Sequence, residues 1–258
     1  LVNYPIYNRL PYSYICVIKK TVAVNYYQEL ASDVRFVEGL SGCLHCGTCT
    51  AICPSAEFYN YDPRIIAETV QTRDNDKIYE LLTGNVIWYC GECMSCKTRC
   101  PRNNAPGLLI MALRALSVRT GLFTESEKGR QQLVIKRTIG EWILKYGYCL
   151  YREEMTMEDH PEQGPTWEWQ NGNLEKLFER FGIRYRGEET GPLRKIPQGA
   201  LDELKKIFDV TGATDQFEFI EEQSARKAAE MGLEFNNRLD CGYVNQVYNL
   251  NSPEHTKV

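Results

Sequence analysis

The chain has 258 residues, 43% of them apolar and 25% charged. This is the balance of a globular chain with a packed core, and it excludes a disordered or fibrous one. The net charge of −4 excludes a general nucleic-acid footprint. The charge is unevenly shared, with 12 Lys and Arg against 10 Asp and Glu in residues 1–120, and 18 against 24 in residues 121–258.

The first 24 residues are rich in Tyr and β-branched side chains, and YSYICVIKKTVAV reads as an extended arm or short strands. The opening LVNYPIYNRL lacks the charged start and long apolar run of a signal peptide. The stretch VNYYQELASDVRFVEGL predicts one helix with Leu30, Val34 and Val37 on one face, ended by Gly39 and Gly42. Asp62-Pro63 is a helix start with Asp at the cap and Pro at the first position; Ile65, Ile66, Thr69 and Val70 follow at helical spacing. Asp74 starts another helix, which carries Ile78, Leu81 and Leu82 and stops at Gly84. NVIWY is a short apolar connector. Asn103 or Asn104 caps the next helix, with Leu108, Leu109, Ala112, Leu113 and Leu116 on its face and a stop near Gly121.

Residues 125–152 carry a long helical pattern interrupted at Gly140 and Gly147. Within it, QLVIKRTIGEWILKYGYCLYR (132–152) is the most apolar part, but Lys136, Arg137, Glu141 and Lys145 exclude spanning a membrane. It is expected to pack on its own domain or on another subunit, with peripheral contact to a membrane face as the alternative. An acidic linker over 153–170 contains no Lys or Arg. A short helix over 171–181 places Leu174, Leu177, Phe178 and Phe181 together, and GIRYRGEETGPLRKIPQG reads as a loop. Two helices follow, one with Leu201, Leu204, Ile207 and Phe208, the other with Phe217, Ile220, Ser224, Ala228 and Met231 on one stripe. The last 20 residues read as loose.

Eight of eleven cysteines fall in two twelve-residue repeats, CLHCGTCTAICP (43–54) and CGECMSCKTRCP (90–101). Each is C-x2-C-x2-C-x3-C-P, the run used by bacterial ferredoxins, in which the fourth Cys binds the other cluster. Three thiolates at this spacing wrap one face of a cubane, and the turn aims backbone N–H groups at sulfur. One [4Fe–4S] cluster is therefore expected on Cys43, Cys46, Cys49 and Cys100, and a second on Cys90, Cys93, Cys96 and Cys53. Metal loading and folding should then be coupled. Zinc also uses C-x2-C pairs, so a zinc-stapled interaction protein is the alternative of another class; it has no use for the third and fourth Cys of each run. His45 is a candidate donor to a cluster sulfur or else a solvent-facing side chain. Cys16, Cys149 and Cys241 are expected to be buried or incidental thiols. No nucleophile elbow, P-loop or dinucleotide-binding glycine motif is present, so no catalytic residue is assigned and the chain is expected to carry electrons without transforming a substrate. The cysteine usage points to a reducing, cytoplasmic location.

The expected fold is mainly α: an arm and lead-in helix over 1–38, an α-helical ferredoxin-like domain over 39–121, and a helical extension over 122–258 for contacts with other subunits. The two repeats, with FYNYDPRIIAETVQ and NVIWYC between them and NNAPGLLIMALRAL after, resemble the C subunit of heterodisulfide reductases and their sulfur-oxidation relatives. LDELKKIFDVTGATDQFEFIEEQS is similar to the helical tail in that family, and the extra length favours the sulfur-oxidising relatives. The resemblance implies a relay of single electrons between a flavin-bearing A subunit and a cysteine-rich B subunit that does the disulfide chemistry, with direction opposite in reduction and oxidation. Succinate and fumarate dehydrogenase subunits share the helical domain but carry an earlier C-x4-C-x2-C, and this chain has only Cys16 upstream. Iron–sulfur subunits of glycolate, lactate and glycerol-3-phosphate oxidation are the second alternative; they usually fuse a Cys-rich domain, for which Cys149 and Cys241 are too few.

Overall fold

The structure is a computed structural model and describes residues 24–157, 160, 163–188 and 191–247. The arm expected over residues 1–24, with Cys16, lies outside the described residues except for Val24. The described chain is mainly α-helical and divides into two compact units. One unit holds the described residues up to Gln132 together with Phe219–Lys227, and the other holds Leu133–Glu218 and the described residues from Ala228.

In the first unit the lead-in is two helices, α1 (Tyr26–Ala31) and α2 (Val34–Gly39), where the apolar spacing predicted one. The break falls at Asp33, whose carboxylate accepts from Arg35 N–H and pairs with its guanidinium at 2.7 Å. A local side-chain bond of this kind competes with helix continuation and caps a new start. The restart turns Val34 and Val37 outward, to 59% and 62% exposure, and Phe36 enters the core with Leu30 instead. Burial pushes the Asp33 carboxyl up, but Arg35 and Arg119 outweigh it and hold the group below its usual range.

Two short helices follow, α3 (Thr48–Ala51) and α4 (Pro54–Phe58), the second with Pro54 at its first position. The starts at Asp62 and Asp74 stand as expected. Asp62 caps α5 (Pro63–Gln71) by accepting from Arg64 and Ile65 N–H, and Asp74 caps α6 (Asn75–Thr83), which ends at Gly84. Each such cap stabilises its helix by about 1 kcal/mol. NVIWY forms a 3-10 turn over Val86–Tyr89, and α7 (Ser95–Arg99) closes the second repeat.

The central element is α8 (Pro106–Thr120), which packs against α2, α5 and α6. Leu109, Ile110, Ala112, Leu113 and Leu116 are fully buried, along with Ile66, Val70, Ile78 and Leu82 from the neighbours. At about 1.5–3 kcal/mol for each large apolar side chain, this packing sets the unit's stability. Gly39 allows the close approach of α2, because a Cβ there would stand 2.7 Å from Leu109 N. Ala105, not Asn103 or Asn104, occupies the N-cap of α8. Asn104 is drawn away by long-range partners: its side chain accepts from Ser41 and Gly42 N–H and donates to Gly42 C=O. The middle of α15 (Ala213–Met231) completes the unit with buried Phe219, Ile220, Gln223 and Ser224.

The helical pattern over 125–152 changes at Gly140 and stops at Gly147, the two expected interruptions, and is divided further before Gly140. It becomes α9 (Glu127–Arg130), α10 (Gln132–Ile135), a π turn over Lys136–Gly140 and α11 (Glu141–Tyr146), which stops at Gly147 with φ 77°. Ser126 starts α9 as its cap, and the Phe217 ring lies against Gly140, so close that a Cβ would meet it at 2.6 Å. In the second unit the expected linker contains α12 (Pro165–Asn171), where Pro opens a helix instead of breaking one. Arg152 lies 3.8 Å from the Trp167 ring and Trp167 Nε1 donates to Met155 C=O, which fixes this segment. The helix expected over 171–181 is shorter, α13 (Leu174–Glu179), and Phe181 is 75% exposed beyond its end. The expected loop carries a two-residue parallel pair, β1 (Arg186–Gly187) and β2 (Leu193–Arg194). Helix α14 (Gln198–Thr211) ends at Gly212 as expected, but none of its side chains is fully buried. The tail is not loose throughout: α16 (Gly242–Val247) buries Tyr243, Val244 and Val247 beside Cys241. Among the described residues no helix is long and apolar enough to cross a membrane.

Candidate metal centre

The two repeats fold alike. In the first, His45 and Gly47 take positive φ (58° and 76°); in the second, Glu92 and Met94 do so at the same positions (54° and 58°). Alternating right- and left-handed residues turn successive N–H groups to one side, the concave nest that accommodates anions and iron–sulfur clusters. Gly47 takes this conformation freely, whereas Met94 pays a steric cost of about 1–2 kcal/mol. Met94 Sδ packs on Gly107, 2.9 Å from where a Cβ would sit, which holds the residue in place.

Backbone N–H groups donate to the first sulfur of each repeat and to two further sulfurs of the second. His45 N–H donates to Cys43 Sγ and Glu92 N–H to Cys90 Sγ, each at 3.4 Å. Asn104 N–H donates to Cys100 Sγ and Gly107 N–H to Cys96 Sγ, each at 3.3 Å. Thr48 Oγ1 and Ser95 Oγ stand 3.3 and 3.4 Å from Cys46 and Cys93 Sγ. These hydroxyl contacts lower the pKa of the Cys46 and Cys93 thiols, while burial raises those of Cys49 and Cys96. Cys46 and Cys93 are the exposed members of their repeats.

Cys43, Cys46, Cys49 and Cys100 line one almost wholly apolar pocket, closed by Leu40, Leu44, Ala67 and Pro106 and rimmed by Arg64 and Arg102. Cys53, though only four residues from Cys49, does not line it. Cys53 and Cys90 both flank buried Tyr61, and Ser55 Oγ lies 4.0 Å from where a Gly91 side chain would begin. Among the described residues no three His, Cys, Asp or Glu side chains converge on one point as a single bound ion requires. The four thiols ring a pocket instead. The donor set, the nests and the N–H groups aimed at sulfur all fit a [4Fe–4S] group.

Sequence reasoning missed the residues that hold these loops. Gln71 accepts from Cys43 N–H and donates to Cys43 C=O at 3.4 Å, and the His45 ring meets Glu68 at 3.2 Å and Gln71 at 3.5 Å. The imidazole of His45 is thus engaged with helix α5, and it is the backbone of His45 that reaches sulfur. In the second repeat Arg114 donates to Ile87 C=O at 2.8 Å and to Cys90 C=O and Glu92 at 2.6 Å. Of the remaining thiols, Cys149 is exposed and Cys241 buried.

Residues 39–104 match the 4Fe–4S dicluster domain family. The chain is 41% identical over 148 residues to the C subunit of the ferredoxin:CoB-CoM heterodisulfide reductase of Methanosarcina acetivorans, covering 57% of this chain and 56% of that one. A second protein of that organism, the C subunit of the ferredoxin/F420H2-dependent CoB-CoM heterodisulfide reductase, is 32% identical over 49% of this chain and 72% of its own. The C2 subunit of the H2/formate:CoB-CoM heterodisulfide,ferredoxin reductase of Methanococcus maripaludis is 32% identical over 66% of this chain and 74% of its own. The chain thus spans little over half the length of the first of these relatives and about three quarters of the other two. On these likenesses the chain belongs to the family of heterodisulfide reductase C subunits.

Proposed function

We propose that the chain is a single-electron relay with two [4Fe–4S] clusters, placed between a flavin-bearing subunit and a cysteine-rich one that works on a disulfide or its thiols. Cys43, Cys46, Cys49 and Cys100 would hold one cluster, and Cys53, Cys90, Cys93 and Cys96 the other. The observation that carries this reading is the pocket that gathers Cys100 with the first three thiols and leaves out Cys53. The clusters, when bound, supply one-electron redox chemistry at low potential.

The chain's own residues do the rest. The backbone N–H groups of His45, Glu92, Asn104 and Gly107 favour added negative charge on sulfur. Leu40, Ala67 and Pro106 keep water from the first pocket. Gln71 and Arg114 fix the two loops, so little reorganisation accompanies a change in charge. Exposed Cys46 and Cys93 bring each site to the surface, where a redox partner can approach. The relatives are named as reductases of the CoB–CoM heterodisulfide, which supports a disulfide-active partner.

Anaerobic purification of the full chain from cells that make it naturally tests the assignment. A flavoprotein and a Cys-rich protein are expected to co-purify with it. A partner that oxidises a hydroxy acid would instead support another flavin dehydrogenase. A chain isolated with stoichiometric zinc and no labile sulfide would overturn the relay.

A further inference from the structure

The third cysteine of each repeat sits in a short helix, α3 or α7, that packs on the long helix after the repeat, α5 or α8. Those long helices begin alike, with Pro63 or Pro106 at the first position, but the next residue is Arg64 in one and Gly107 in the other. The left-handed residue of each repeat differs in the opposite sense, Gly47 in the first and Met94 in the second. In the second repeat Gly107 N–H donates to Cys96 Sγ at 3.3 Å. Met94 Sδ there fills the space where a side chain of residue 107 would begin, itself 3.6 Å from Cys96 Sγ. In the first repeat Gly47 brings no side chain, and Arg64 N–H is taken by Asp62 Oδ1 at 2.8 Å. The Arg64 side chain lines the pocket of Cys43, Cys46, Cys49 and Cys100 instead.

Arg64 is held from one side only. Its Nη2 donates to Asp62 Oδ2 at 3.1 Å, and Asp62 is fixed in turn by Thr50 Oγ1 and by the N–H groups of Arg64 and Ile65. Asp62 balances the guanidinium charge, so Arg64 brings this site an N–H group and not a net positive charge. Its Nε is buried and has no hydrogen-bond partner among the described residues. Leaving such a donor unmatched is costly. The pocket it lines is almost wholly apolar, and sulfur is the acceptor gathered there.

We propose that Arg64 tunes the first site: its Nε–H donates to sulfur of the group held by Cys43, Cys46, Cys49 and Cys100. This rests on the two-cluster reading. A donor at sulfur favours the state with one more electron, since that electron adds negative charge to the sulfurs. The guanidinium keeps its proton in both states, so this residue moves no proton with the electron. At the second site the apolar Met94 stands in the matching place and supplies no such donor.

The test is a potentiometric titration of the full, cluster-loaded chain followed by EPR. Arg64→Met gives the first site the cover of the second. The one-electron step that Cys46→Ala abolishes should then move to more negative potential. At the wild-type midpoint the reduced-to-oxidised ratio of that cluster should fall about three- to tenfold, where tenfold is a 59 mV shift, with the other step unmoved. Wild-type chain made with arginine carrying the heavy nitrogen isotope gives an independent reading. Pulsed EPR of its reduced form should show a coupling to that nitrogen on the same cluster. If Arg64→Met takes up no iron at the first site, the labelled wild-type chain decides: the coupling supports the donor. An unmoved step, movement of the other step alone, or no coupling in the labelled chain overturns the proposal. Absence of iron and labile sulfide from the wild-type chain would instead sink the relay reading itself.

Discussion

Cys53→Ala is expected to cost the chain the cluster of the other repeat. Iron and labile sulfide should fall by about half, and the cluster that survives should be the one on Cys43, Cys46, Cys49 and Cys100. The reason is geometric: Cys53 does not line the pocket of its own repeat and instead flanks Tyr61 beside Cys90. Double substitutions separate this from a simple loss of one local ligand. Cys53→Ala with Cys93→Ala should lose no more iron than either alone, because both strike one cluster. Cys53→Ala with Cys46→Ala should lose nearly all of it. The reverse pattern would mean that each run binds its own cluster.

Removing the clusters should have the next largest effect. Iron chelation under oxidising conditions is expected to lower the melting temperature by about 10 °C or more, since the metal group contributes to folding directly. The crossing sharpens this expectation, because each cluster would tie Cys43–Cys53 to Cys90–Cys100 across α5 and α6. Much of the far-UV helical signal should persist, since α5, α6 and α8 bury Ile66, Val70, Ile78, Leu82 and Leu113 on one another without any thiol. A melting temperature unmoved by chelation, with iron shown to be gone, would contradict the coupling.

Much of the candidate centre was legible in the sequence, and for definite reasons. A thiol has few uses at C-x2-C-x2-C-x3-C spacing, so the eight cysteines announce their chemistry. Asp62-Pro63 and Asp74 announce helix starts because cap and first-turn preferences are local. What stayed hidden depends on contacts far along the chain. Asn104 reads as a helix cap, yet its amide bonds Ser41 and Gly42 from more than 60 residues away. Gln71 and Arg114 read as ordinary polar positions of two helices, and nothing local marks them as clamps on Cys43 and Cys90. Tyr61 is one aromatic among several in FYNYDP until the fold sets it between Cys53 and Cys90. Gly47 hints at a left-handed residue, but Met94 at the matching position gives no such hint.

The same limit explains the helices that were misjudged. Apolar spacing ran through Asp33 because periodicity does not register a side chain that bonds its own backbone neighbour. The interruptions at Gly140 and Gly147 were marked by the glycines themselves, but nothing in the spacing marked the division near Gln131 or the π turn over Lys136–Gly140. Around α12 and α16, a linker-like and a tail-like composition hid short helices that depend on Trp167, Tyr243 and Val244 for their packing.

The most direct test of the two-cluster relay is the iron, acid-labile sulfide and zinc content of the anaerobically purified full chain, read together with EPR of the reduced protein. About eight irons and eight sulfides per chain are expected, with two clusters reducible by one electron each. Stoichiometric zinc without sulfide, or about four irons in a single cluster, would contradict it.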